Sequence, residues 1–153
     1  MSNKKIIITG ALGQDGKILS KLLIKKGFKV YGFINLNNKS KLKKVKYKKV
    51  DLCNYEKVKK ELKIINPSYI IHFGSKNPSF KDTHNFYKKN YACSKCIIDA
   101  INNVNNKIKF IFPSSSQIFK RKRFVAEKDE FFISNSYTKF RVKTFEYMKL
   151  MKI

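Results

Sequence analysis

The chain of 153 residues carries 35 Lys and Arg against 10 Asp and Glu, a formal charge of +25, which raises nucleic acid or a membrane surface as partners. Only Arg121, Arg123 and Arg141 are arginine, the side chain whose planar fork suits phosphates and base edges, and Lys, Ile, Asn and Phe, all written with A/T-rich codons, fill half the chain; the charge therefore reads as coding bias, against a nucleic-acid role. No apolar run approaches the ~18 to 20 residues of a membrane span and none forms a signal-peptide core, so the expectation is a soluble, cytoplasmic protein with one domain over residues 1–153.

Apolar runs rich in Ile, Val and Phe alternate with segments of helical periodicity, the pattern of a parallel sheet with crossover helices. The fold class expected is α/β, a doubly wound parallel sheet. Residues 5–9 bracket a continuous apolar run, followed by Gly10-Ala11-Leu12-Gly13 and by Ile18, Leu19, Leu22 and Leu23 at helical spacing up to Gly27, a helix stop. Residues 28–34 predict a second strand, 35–44 a loop, 46–50 a third strand ending at Asp51-Leu52, and 55–65 a helix closed by Pro67. A fourth strand over 69–73 leads into a loop over 74–81, and 85–104 is a long amphipathic helix with Ile97, Ile98 and Ile101 inward. A fifth strand over 108–112 runs into Pro113-Ser114-Ser115-Ser116, residues 120–134 are irregular and charged, and 136–152 form a final helix.

Three of the six glycines fall in Thr9-Gly10-Ala11-Leu12-Gly13-Gln14-Asp15-Gly16, directly after a buried strand and at the start of a helix. Gly10 permits a tight turn, Gly13 lets the backbone approach a pyrophosphate, Gly16 lets the helix pack closely, and unpaired amides at the helix start meet the anion. The end of the second strand reads Phe33-Ile34-Asn35-Leu36, without the acid that holds the ribose hydroxyls of NAD, which favours NADP while leaving NAD open; Lys39 and Lys41 are candidates for a 2′-phosphate. Asp51 is placed either to accept from an adenine amino group or to cap a turn. Cys53, Cys93 and Cys96 are an odd count, and a disulfide is not expected in a reducing compartment. Cys93 and Cys96 form a C-x-x-C spelling with no second pair and only His72 and His84 in the chain, which reads as two small half-buried side chains; no metal is expected.

Thr9-Gly10 with Gly13-Gln14-Asp15-Gly16, Asp51-Leu52, Ile71-His72-Phe73-Gly74-Ser75, Ser114-Ser115-Ser116 and Tyr137, in that order, resemble the extended short-chain dehydrogenase/reductases, the NAD(P)-dependent sugar-nucleotide epimerases and dehydratases. The Gly-Gln-Asp-Gly spelling is most similar to the GDP-mannose 4,6-dehydratases. The resemblance covers nearly the whole chain as a cofactor-binding Rossmann part, with the family's C-terminal substrate-binding region absent. It implies cofactor contacts from Gly10, Gly13, Gln14, Asp15, Gly16, Asp51, Leu52, Gly74 and Ser75, with Asn90 as a weaker match. It also implies a nucleotide-sugar substrate, and as partners a homodimer or a separate C-terminal half.

In that family a tyrosine and a lysine four residues on share a helix face, and the lysine's charge favours the phenolate that takes a proton from a sugar hydroxyl, with a Ser or Thr bonded to the reacting oxygen. By position Tyr137 and Ser115 match. The residue four beyond Tyr137 is Arg141, a larger cation that does not simply replace an ammonium, and Lys139 points to another face. Tyr137 is read either as the active phenol or as an ordinary amphipathic residue. Gln117 falls where the dehydratases carry a basic glutamate, so elimination of water is expected to be impaired. Glu127, Asp129 and Glu130 follow in the charged segment, either as substitutes or as solvated carboxylates.

Overall fold

Strands buried on both faces account for the continuous apolar runs, and the period-two alternation of side chains divides them between two cores. The computed structural model describes residues 4–35, 41–75 and 83–153, the side chains of residues 83, 84 and 86 excepted. The elements are β1 (Lys5–Thr9), α1 (Gln14–Lys25), β2 (Lys29–Ile34), β3 (Lys46–Lys49), α2 (Tyr55–Ile65), β4 (Tyr69–His72), α3 (Thr83–Val104), β5 (Lys109–Ile111) and α4 (Ser136–Leu150). All strand pairs are parallel, in the order β3-β2-β1-β4-β5. This is the doubly wound, Rossmann-like arrangement, and the direction of strand addition reverses at β1.

Ile6 and Ile8 of β1 join Val30 and Ile71 in one core, against Leu19, Leu23 and Ile24 of α1. Ile7 points the other way, with Phe33, Ile70 and Phe110, into the core formed with Val58 and Leu62 of α2 and Ile97, Ile98 and Ile101 of α3. Right-handed crossovers require this split, with α1 on one face and α2 and α3 on the other. Helix α1 departs from the simple periodic picture. Its fully buried positions are the small Gly16 and Ser20, whereas Ile18 and Leu22 are half exposed. The helix start lies so close to the turn before it that no side chain fits at Gly16, and the larger Leu19, Leu23 and Ile24 pack on the core beside that contact.

Helix boundaries follow their caps. Asn54 accepts from the Lys57 amide at 3.0 Å to start α2, and Asn66, in the left-handed region at φ 47°, ends it ahead of Pro67. A capping box starts α4: the Thr138 amide donates to Asn135 Oδ1 at 2.9 Å and the Asn135 amide donates to Thr138 Oγ1 at 3.1 Å. That box sets the helical phase of Tyr137 and Arg141. Tyr147 of α4 donates its hydroxyl to Asp99 of α3 at 2.5 Å, and Lys95 donates to the other Asp99 oxygen at 2.7 Å, tying the two helices on their outer side.

The cysteines correct the expectation. Cys53, in the turn before α2, is disulfide-bonded to Cys93 on α3, with Cα atoms 4.3 Å apart across a separation of 40 residues. Both Cys93 and Cys96 are buried, not half-buried, and Cys96 is free. Packing of α2 on α3 brings the two chain segments together, a proximity that no local pattern encodes. Among the described residues no helix is long and apolar enough to cross a membrane, and no three His, Cys, Asp or Glu side chains cluster.

Candidate functional site: a glycine-turn cleft at the carboxyl ends of the strands

The chain leaves β1 through Gly10 at φ +66°, a left-handed conformation, and a Cβ there would lie 2.9–3.0 Å from the Phe73 and Gly74 backbone. The Gly13 amide donates to the Gly10 carbonyl at 2.9 Å, closing the turn, and Gly13 then caps α1 without any side-chain acceptor. The first amides of α1 are therefore left without a side-chain partner at the positive end of the helix, where an anion is favoured. Gly16 lies behind the turn. A Cβ there would come within 2.5 Å of the Gly10 oxygen, backbone against which nothing can give way.

The turn opens on a cleft of about 330 Å³. Gly10, Leu12 and Gly13 form its floor; Phe33, Ile34 and Asn35 continue from β2; Val50, Asp51 and Leu52 follow β3; Gly74 and Ser75 follow β4; Lys89, Asn90 and Cys93 close it from α3. This is the position outside the strand ends where open parallel sheets bind ligands. Six of the nine cofactor candidates line it. Gln14 and Asp15 are exposed in the first turn of α1, and Gly16 is buried behind the turn, outside the walls. Asp51 Oδ1 accepts from the Cys53 amide at 3.1 Å, so one of its oxygens shapes the turn. Lys41 stands 5.8 Å from the Tyr47 ring centroid and is not in the wall; Lys39 lies outside the described residues.

Beneath the cleft runs a directional chain of hydrogen bonds. Thr9 Oγ1 accepts from the Gly74 amide at 2.9 Å and lies 2.6 Å from His72 Nδ1. Ser94 donates to the Asn90 carbonyl at 3.0 Å, and its oxygen is then the acceptor for His72 Nε2–H, also at 3.0 Å. His72 is thus the neutral Nε2–H tautomer, and it links the strand ends of β1 and β4 to the α3 wall. Burial, aided by the charge of Arg141, lowers its pKa to about 3 from 6.5.

Below pH 6.5 the unfolded chain takes up a proton at His72 while the folded chain stays neutral until about pH 3. Stability from this residue is complete above pH 6.5 and falls between 6.5 and 3, by on the order of 1 kcal/mol per pH unit. Urea titrations of wild type and His72→Gln at several pH values check this: the variant is expected to have the shallower slope, and equal slopes would refute the assignment.

Ser115, Gln117, Tyr137 and Arg141 lie beyond β5, and none lines the cleft. Ser115 Oγ accepts from the Gln117 amide at 3.2 Å, capping a short 3₁₀ turn over Ser116–Ile118, and Gln117 itself is exposed. The Arg141 guanidinium stands 4.9 Å from the Tyr137 ring centroid, 5.0 Å from Phe112 and 5.3 Å from Phe140. It donates through Nη1 to the Pro113 carbonyl, while its Nε is buried without a partner. The cation beside Tyr137 is consequently anchored to the end of β5. Lys139 lies 5.2 Å from the Tyr87 ring instead. Lys122 and the Ala126 amide hold the Asp129 carboxyl below its usual pKa range.

Residues 6–151 match the model of the NAD dependent epimerase/dehydratase family. The chain belongs to this family. As an epimerase/dehydratase domain it superimposes on the Bordetella bronchiseptica enzyme WbmH, solved in complex with NAD+, with a TM-score of 0.87 at 19% identity, covering 99% of this chain and 54% of that one. It is similar to the UDP-Glc/GlcNAc 4-epimerase of Campylobacter jejuni (TM-score 0.87, 20% identity, 98% and 49% covered). It is also similar to the UDP-glucose 4-epimerase of Thermotoga maritima, solved with UDP-glucose (TM-score 0.84, 18% identity, 96% and 50% covered). At these identities the likeness is one of fold, and the chain spans about half the length of these structures.

Within this epimerase/dehydratase chain, sequence reasoning passed over Leu12, Val50, Lys89 and Cys93 as cleft residues. The last had a signal: Cys93 stands three residues after Asn90, on the same face of a helix.

Proposed function

We propose that this chain is the dinucleotide-holding half of a sugar-nucleotide epimerase/dehydratase that acts by transient hydride transfer from a nucleotide-linked hexose. The supporting observation is the glycine turn whose uncapped helix start opens on a cleft at the reversal of strand order. The residues fit a dinucleotide: amides for the diphosphate around Gly13, apolar contacts from Val50 and Leu52 for an adenine, and Asp51 as acceptor for its amino group. NADP is favoured over NAD because the β2 wall, Phe33-Ile34-Asn35, offers no carboxylate to the ribose. The nicotinamide supplies the hydride acceptor. Tyr137 takes the proton from the sugar hydroxyl at its phenolic oxygen, Ser115 donates to the reacting oxygen, and Arg141 supplies the neighbouring positive charge. The Gly13-Gln14-Asp15-Gly16 spelling points to a GDP-mannose 4,6-dehydratase-like substrate. Gln117 has no basic group for eliminating water, so we read oxidation of the hexose without efficient dehydration.

One observation favours a second reading, a non-catalytic dinucleotide-binding module: the Arg141 guanidinium is held by the Pro113 carbonyl and three rings. Calorimetric titration with NADPH and NADH tests what both readings share. Saturable heat with NADPH, and less affinity for NADH, is expected; no heat with either removes both. Adding a family C-terminal half in trans separates them, since turnover of a GDP-hexose requires the enzyme and its absence leaves the module.

A further inference from the structure

The disulfide joins two walls of the cleft. Cys93 is itself a lining residue, three positions beyond Asn90 on α3, while Cys53 directly follows Asp51 and Leu52, which line the wall after β3. Below this link the two helices are packed independently of it, Val58 and Leu62 of α2 against Ile97 and Ile101 of α3, so opening the bond leaves the core intact and frees only the rim. Cys53 is exposed, within reach of a small thiol or disulfide, whereas Cys93 is buried. Cys96, one helical turn along from Cys93, is 8% exposed and free, and burial pushes its thiol up to about 11, which keeps it protonated and out of the exchange. The Cys93-x-x-Cys96 spelling is therefore not the redox pair. The partner of Cys93 comes from the adjoining wall.

We propose that reversible pairing of Cys53 with Cys93 sets the affinity of the cleft for its dinucleotide, the disulfide form being the tighter binder. The proposal rests on the dinucleotide reading above. The co-reactant is a low-molecular-weight disulfide such as oxidised glutathione. The Cys53 thiolate attacks one of its sulfurs and expels a thiolate. The Cys93 thiolate then attacks Cys53 in the mixed disulfide, forming the internal bond and expelling the second thiolate. Two electrons pass to the small disulfide, and the two cysteine protons are taken up by the departing thiolates. Reduction by excess thiol reverses each step. Once reduced, Cys53 has an acceptor at hand in the Lys89 carbonyl, 3.6 Å from its sulfur. Fixing Leu52 and Asn90 relative to one another before binding removes an ordering cost that the reduced cleft must bear at the moment of binding, which is the origin of the affinity difference.

The test combines thiol counting by alkylation and mass spectrometry with NADPH titrations at fixed ratios of reduced to oxidised glutathione, on wild type and Cys53→Ser. Alkylated after unfolding in denaturant, oxidised wild type is expected to show one free thiol, Cys96, and reduced wild type all three. NADPH is expected to bind about tenfold more tightly to the oxidised form, and Cys53→Ser to bind like reduced wild type whatever the glutathione ratio. Three reactive thiols under oxidising glutathione, or equal affinity in the two wild-type forms, overturns the proposal and leaves the dinucleotide reading standing. Failure of NADPH to bind either form overturns the dinucleotide reading, and the proposal with it.

Discussion

Gly10→Ala is expected to lower the stability of the chain by about 3 kcal/mol and to abolish dinucleotide binding. Two costs act together. The residue sits at φ +66°, where an L side chain is strained by about 1–2 kcal/mol, and its Cβ would stand 2.9 Å from the Phe73 carbonyl carbon. That neighbour is backbone of the segment leaving β4, so relief requires the β1 turn and the β4 segment to part, which widens the floor of the cleft. Gly27 separates the two costs. It has φ +84° with nothing within 4 Å of a built Cβ, so Gly27→Ala bears only the conformational cost. Urea denaturation of both variants checks the ordering, with calorimetry for binding. Equal destabilisation, or retained NADPH affinity in Gly10→Ala, would contradict the close approach of the two backbones.

Phe140→Ala is expected to cost about 3–5 kcal/mol, the range for removing a buried aromatic ring. Phe140 is fully buried on α4, edge-on to Phe112 with ring centroids 5.5 Å apart, and its ring lies 5.3 Å from the Arg141 guanidinium. Loss of the ring empties the contact between α4 and the end of β5 and loosens the cage that holds Arg141 beside Tyr137. Leu150, at the end of the same helix, is 72% exposed, and Leu150→Ala is expected to stay within about 0.5 kcal/mol of wild type. A denaturation midpoint for Phe140→Ala close to that of Leu150→Ala would show that α4 is not docked as described.

The strands and helices were legible because their signals are local. Ile6 to Ile8 form a run apolar on both faces, Asn66 before Pro67 ends a helix, and three glycines after a strand announce a turn into a helix. What escaped is what tertiary packing decides. The apolar spacing of Ile18, Leu19, Leu22 and Leu23 looks like one core stripe, yet the short distance from Gly16 to the Gly10 carbonyl sets the rotation of α1 so that Leu19 and Leu23 pack on the core while Ile18 and Leu22 stay half exposed. The Cys53–Cys93 bond and the Thr9–His72–Ser94 chain each join segments tens of residues apart, so no window along the sequence contains them. Of the candidate site, the glycine turn, Asp51-Leu52 and Gly74-Ser75 come together around one cleft. Ser115 with Gln117, and Tyr137 with Arg141, lie beyond the edge strand β5, outside that cleft.

The central claim, that the glycine-turn cleft holds a nicotinamide dinucleotide, is tested most directly by a crystal structure of the chain grown with NADPH. The diphosphate is expected within hydrogen-bond distance of the amides at Gly13 and the start of α1, with the adenine between Leu52 and α3. A dinucleotide bound elsewhere, or a cleft that stays empty at saturating NADPH, would contradict the claim.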